Sequence, residues 1–193
     1  MISVKVVVLC FVVFGMVAGS ARAANPVVVV ETNHGSIKIE LFEDKAPVTV
    51  KNFLTYVEDK HFDGTIFHRV ISDFMIQGGG FEPGMKEKKA RDPIKNESSN
   101  GLSNLKGTLA MARTNEPNSA SAQWYINLKD NTFLDKAKAR DSVGYCVFGR
   151  VIGGMDVVEK IKVVETDTVK GHENVPTKDV VIKSVKVVKE EKK

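Results

Sequence analysis

The chain has 193 residues, 42% of them apolar and 27% charged, enough for one domain with a proper core and far from a disordered or collagen-like composition. The formal net charge is +4, and +2 once residues 1–23 with Lys5 and Arg22 are set aside, an excess too small to argue for nucleic acid. The basic cluster Lys86, Lys88, Lys89 and Arg91 is broken by Glu87 and Asp92 and carries no aromatic residue, which predicts a solvated loop.

The first segment reads as a secretory signal. Lys5 is followed by 13 uncharged residues, Val6 to Ala18, and then by Gly19-Ser20-Ala21-Arg22-Ala23. The run is shorter than the roughly 20 residues a membrane-spanning helix needs, and Ala21-Arg22-Ala23 supplies the small-x-small pattern of a cleavage site. The expected organisation is a cleaved signal over residues 1–23 and a single domain over 24–193 with a short charged tail. An uncleaved anchor is the competing reading. The mature part keeps only Cys146, so no internal disulfide can form, and Cys146 between Tyr145 and Val147-Phe148 reads as a small buried hydrophobe.

Val27 to Glu31 and Ile37 to Leu41 are β-prone runs joined by Thr32-Asn33-His34-Gly35-Ser36, the pattern of a hairpin. Asp44 offers a capping carboxylate and Pro47 suits a first helical turn. Val50, Phe53, Leu54 and Val57 then fall at i, i+3, i+4 and i+7, which predicts a helix with one buried face. Short β-like runs follow at Thr65–Val70, Phe74–Gln77, Thr108–Ala112, Gln123–Asn127 and Cys146–Val151. A second helix is expected around Met155, Val157, Val158 and Ile161, and a closing strand over Val180–Val188. Eight strands and two helices fit a mainly β fold: a closed antiparallel barrel with helices capping its ends, because closure removes exposed strand edges. The irregular stretch from Gly79 to Lys106 is expected to wrap the outside beside a binding groove, with a tolerated insertion as the alternative.

His34, His61, His68 and His172 show no metal-ligand spacing, Gly78-Gly79-Gly80 lacks the Lys-Ser/Thr of a phosphate loop, and Ser119 and Ser121 lack a nucleophile elbow. No metal, cofactor or hydrolase chemistry is therefore expected. What remains is Phe67-His68-Arg69-Val70-Ile71-Ser72-Asp73-Phe74-Met75-Ile76-Gln77-Gly78-Gly79, a strand, a turn and a strand. Alternation along the second strand sends Met75 and Gln77 one way and Ile76 to the core.

This stretch closely resembles the cyclophilin signature. The likeness continues through Gly107–Arg113, Asn118–Ile126, Phe133-Leu134-Asp135 and Val147–Val151, and covers residues 27 to 188. The resemblance implies a cyclophilin-like barrel and peptidyl-prolyl cis-trans isomerase activity without metal or cofactor, as in bacterial, periplasmic members. It also implies a role in folding exported proteins and proline-containing, flexible polypeptides as partners. Neither nucleic acid nor stable membrane association is expected, and the chain should be a monomer. Matched by motif, Arg69 takes the catalytic place. Phe74, Met75, Tyr125 and Leu134 line the proline pocket, while Gln77, Ala112, Arg113 and Gln123 lie along the groove. Phe133 and Tyr145 stand at substrate-binding positions where the family often has Trp and His, and Tyr125 stands where it commonly has Phe. Alternation supports Gln123 and Tyr125 on one face and Trp124 in the core, but not Phe74 beside Met75. A non-catalytic holdase using the same groove, or a barrel carrying a small apolar ligand, are the rival classes.

Overall fold

The computed structural model describes residues 24–188; the expected signal and the last five residues lie outside them. Strands β1 (Val27–Thr32) and β2 (Gly35–Leu41) form the expected hairpin, pairing Val30 with Ile37. Their inward residues Val28, Val30, Ile37, Ile39 and Leu41 are fully buried. Gly35 follows the turn at φ 128°, and a Cβ there would meet Val157 at 2.7 Å, so space and backbone both require glycine.

Helix α1 (Pro47–Glu58) buries Val50, Phe53, Tyr56 and Val57. The expected cap at Asp44 is not what the structure uses. Ala46 is the N-cap residue and supplies no side-chain bond. Instead the carboxylate of Glu97, from the long irregular stretch, accepts the N–H groups of Val48 (3.2 Å) and Thr49 (2.8 Å) and the Thr49 hydroxyl (2.8 Å). A distant anion thus meets the exposed helix N–H groups that a local carboxylate was expected to satisfy.

Strands β3 (Phe67–Ile71) and β4 (Met75–Gly78) follow, then two-residue strands β5 (Phe81–Glu82) and β6 (Lys86–Glu87), β7 (Thr108–Met111), β8 (Trp124–Asn127) and β9 (Val147–Gly153). Helix α2 (Met155–Lys162) buries Val157, Val158 and Ile161. The chain ends with β10 (Thr166–Val169), β11 (His172–Pro176) and β12 (Ile182–Val187). The β10–β11 hairpin was not anticipated.

Eight strands form one antiparallel sheet in the order β12-β1-β2-β9-β7-β8-β4-β3. The expected closed barrel is corrected: the sheet is open between β12 and β3. The chain just before β3 meets the chain just before β12 at one isolated bridge, Ile66 to Val181, instead of a continuous ladder. The edge is covered instead by the β10–β11 hairpin, which packs along β3 and shares a small core of Ile66, Phe81, Met85 and Val175.

Inside the sheet, Phe53, Phe62, Phe67, Trp124 and Phe148 interlock, with ring centroids 5.0–6.2 Å apart in several edge-on pairs. This aromatic filling takes the space that a small-ligand carrier would need.

The stretch from Gly79 to Lys106 is stitched to its surroundings. Ile94 N–H donates to Ala120 O, Ser98 Oγ to Val143 O (2.6 Å), and Asn100 Nδ2 to Val147 O (2.8 Å). It braces the loops that carry the site.

Candidate active site

A cavity of about 690 Å³ opens on the outer face of β3, β4 and β8. Cross-strand register builds its floor: Arg69 on β3 faces Gln77 on β4, and Gln77 faces Tyr125 on β8. As expected, Met75 and Gln77 look outward while Ile76 enters the core, and Gln123 and Tyr125 flank an inward Trp124. Phe74 lies in the turn before β4, so strand alternation does not govern it, and it joins Met75, Tyr125 and Leu134 around one apolar end.

The pairing of β3 with β4 slips between Phe67 and Arg69, leaving His68 as an extra residue. A bulge of this kind lets two neighbouring side chains point the same way. His68 and Arg69 therefore both line the cavity, while Phe67 and Val70 on either side are buried in the core.

Arg69 is half-buried and makes one long contact, Nη1 to Gln77 Oε1 at 3.5 Å. Gln77 Nε2 donates in turn to Gln123 Oε1 at 2.8 Å. Among the described residues Arg69 has no carboxylate partner, unlike Arg113, Arg91 and Arg150. Its charge is free to face a bound group. Arg113 also lines the cavity, but its donors are engaged: Nε to Gly144 O (3.1 Å), Nη1 to Thr114 O (2.9 Å) and Nη2 to Asp141. Its guanidinium lies 4.4 Å over the Tyr145 ring. The Gly144 and Val143 N–H groups and Arg113 hold the Asp141 carboxyl down to about 2. Arg113 thus fastens the loop that presents Tyr145 to the cavity.

Ten of the eleven residues expected at the site line this one cavity: Arg69, Phe74, Met75, Gln77, Ala112, Arg113, Gln123, Tyr125, Leu134 and Tyr145. Phe133 does not. It is 54% exposed, stacked on the outer side of Phe74 with centroids 5.9 Å apart, because the single 3-10 turn Thr132–Leu134 turns Leu134 inward and its neighbour outward.

The opposite wall was missed. It consists of His68, Phe81 and the hairpin tip Gly171–Asn174, with Phe81 between the rings of His68 (4.6 Å) and His172 (5.3 Å). The signal was weak: Gly171 follows the β-prone Thr166–Val169, but the returning segment His172-Glu173-Asn174 is polar and carries no β-branched residue. Burial drives the His68 imidazole down to about 4, so it is neutral near pH 7.

The description "Cyclophilin type peptidyl-prolyl cis-trans isomerase/CLD" belongs to the family whose model matches residues 27–187. The chain belongs to the cyclophilins. It is 59% identical over 157 residues to peptidyl-prolyl cis-trans isomerase B of Escherichia coli, covering 81% of this chain and 96% of that one. Identity to a peptidyl-prolyl cis-trans isomerase of Acinetobacter baylyi is 54% over 173 residues, 90% of this chain and 91% of the relative. A solved cyclophilin-type isomerase of Cryptosporidium parvum, crystallised in the presence of the dipeptide Ala-Pro, superposes with a TM-score of 0.73 at 27% identity, over 84% of this chain and 99% of that one. This cyclophilin is accordingly a peptidyl-prolyl cis-trans isomerase, with the aromatic end of its cavity formed by Tyr125.

Proposed function

We propose that this cyclophilin accelerates X-Pro isomerisation in exported, still flexible polypeptides, acting as a monomer in the periplasm after loss of residues 1–23. In this reading the proline ring enters between Phe74, Met75, Tyr125 and Leu134, and Arg69 acts on the twisted bond. The observation that carries it is a guanidinium with no carboxylate partner among the described residues, lining the same cavity as the apolar cluster of Phe74, Met75, Tyr125 and Leu134.

The chemistry follows from amide resonance. Rotation about the bond faces a barrier of roughly 18–20 kcal/mol, because the nitrogen lone pair is shared with the carbonyl. In the twisted state that pair is localised on nitrogen and can accept a hydrogen bond; in either planar state it cannot. A donor at Arg69 therefore binds the twisted state selectively, which is the condition for raising the rate. A charge-assisted hydrogen bond contributes about 1.5–3 kcal/mol, or roughly one to two decades of rate. Water-excluding contacts of the ring strengthen it further. Gln77 and Gln123 lie beside Arg69 to hold the peptide backbone. No bond breaks and no proton need move, so the reaction calls for no nucleophile, metal or cofactor.

The test is a proline-limited peptide assay with catalytic amounts of protein. Arg69→Ala is expected to fold like the parent, since only the 3.5 Å contact to Gln77 is lost, and to lose at least about tenfold in kcat/KM. A folded variant retaining more than half the parent rate overturns the role of Arg69, and stoichiometric binding without turnover favours the holdase. Export is checked separately by intact mass: protein from the periplasmic fraction of a bacterial host should begin at Ala24 or within a residue or two of it. Full-length protein in the cytosol overturns the localisation.

A further inference from the structure

Behind the apolar end of the cavity lie three asparagines, Asn104, Asn127 and Asn131, each with no exposed surface. Fully buried amides are costly unless their donors and acceptors are met. Asn104 uses all four of its side-chain positions. Its Oδ1 accepts the Tyr125 hydroxyl at 2.9 Å and Asn127 Nδ2 at 3.3 Å; its Nδ2 donates to Asp135 Oδ1 at 3.0 Å and to Tyr145 O at 3.4 Å.

The chain of contacts continues away from Tyr125. Asn131 Nδ2 donates to Asn127 Oδ1 and to Phe74 O, both at 2.8 Å. The Asn131 N–H donates to Asn104 O at 2.7 Å, and its carbonyl accepts from Leu134 N–H at 2.9 Å. Four residues of the pocket wall are thereby tied to one buried polar cluster: Tyr125 by its hydroxyl, Phe74 and Tyr145 by their carbonyls, and Leu134 by its N–H and by Asp135 beside it. The Tyr125 ring faces the cavity while its hydroxyl points away from it, into the cluster.

We propose that Asn104, with Asn127 and Asn131, is a positioning shell that sets the width of the pocket and so decides which imino-acid ring the enzyme accepts. The proposal rests on reading this cavity as the proline site. Asn104 touches no substrate in it; the shell acts through the four wall residues it holds. A rigid wall fitted to a five-membered ring should reject the six-membered ring of pipecolate, since one extra methylene in a fitted pocket is worth roughly 10–200-fold.

The experiment compares two peptides that differ only in carrying proline or pipecolate, and reads the ratio of their kcat/KM values. The ratio is unaffected by the fraction of enzyme that is folded, so lost stability alone does not move it. The parent is expected to favour proline by at least about tenfold, and Asn104→Ala to shrink that preference at least about fivefold. Adding Tyr125→Phe to Asn104→Ala removes the stranded hydroxyl and should recover at least about threefold in proline kcat/KM relative to Asn104→Ala alone. Strictly additive effects, a ratio unchanged within twofold in Asn104→Ala, or a parent that turns over both rings equally would each overturn the shell. If Asn104→Ala does not fold, Tyr125→Phe decides alone, with an expected narrowing of at least about threefold and a ratio unchanged within about twofold as refutation. A parent inactive on both peptides instead refutes the proline-site reading itself.

Discussion

His68 couples the stability of the fold to pH. Its ring is 5% exposed, packs 4.6 Å from Phe81, and its Nδ1 is buried without a hydrogen-bond partner. Burial lowers its pKa from 6.5 to about 4. The sign follows from which state binds the proton. Between those two values the unfolded chain takes it up and the native chain does not, so stability is complete above about 6.5 and falls as the pH drops toward 4. With 1.36 kcal/mol per pKa unit, the loss attributable to His68 is about 3 kcal/mol by pH 4. His61, also lowered by burial, acts in the same direction. Asp141, held down to about 2, acts only at more acid pH. Urea unfolding of the parent and His68→Gln across this range isolates the His68 contribution as their difference. His68→Gln is expected to be less stable near neutrality because of its poorer packing, and to close that gap by about 2–3 kcal/mol on acidification. A gap that stays constant within about 1 kcal/mol would refute a neutral, buried His68.

Glu97→Ala should lower stability by about 1–2 kcal/mol, since the start of α1 loses its anion, while Glu97→Gln, which keeps an acceptor, should cost less; chemical denaturation of both checks this, and equal losses would contradict the cap. Cys146, 3% exposed with its thiol pushed up to about 11 by burial, should resist alkylation in the native protein near pH 8 and react only on unfolding, as followed by mass. Gly144→Ala should lose both stability and activity, because its φ is 72° and a Cβ would lie 2.5 Å from Lys136 N; near-parental thermal unfolding and turnover would show that the Tyr145 loop gives way more easily than its contacts imply.

Much of the site was legible because its logic is local. Alternation alone separated Met75 and Gln77 from Ile76, and Gln123 and Tyr125 from Trp124, and the structure keeps both divisions. The two helices followed from apolar spacing, with Pro47 marking the start of the first. The resemblance named ten residues that line the cavity, including Phe74, which alternation could not place since it belongs to a turn.

The amino-acid sequence by itself determined the eight strands of the main sheet, the two helices, the faces of β4 and β8 and the signature that marks the family, because these depend on side-chain patterns within a few residues; the short β5–β6 and β10–β11 pairs escaped it. Tertiary structure alone decided the rest. The bulge that brings His68 beside Arg69 exists only in the register of β3 against β4. The cap on α1 comes from Glu97, 48 positions beyond Thr49. The open edge between β12 and β3 depends on how far the sheet curls before its ends meet. Asn104, Asn127 and Asn131 look like solvent-facing polar residues in sequence; they are buried because the folded chain brings partners to the Asn104 and Asn127 amides and to Asn131 Nδ2, leaving only Asn131 Oδ1 unmet, and such partners come from distant parts of the chain.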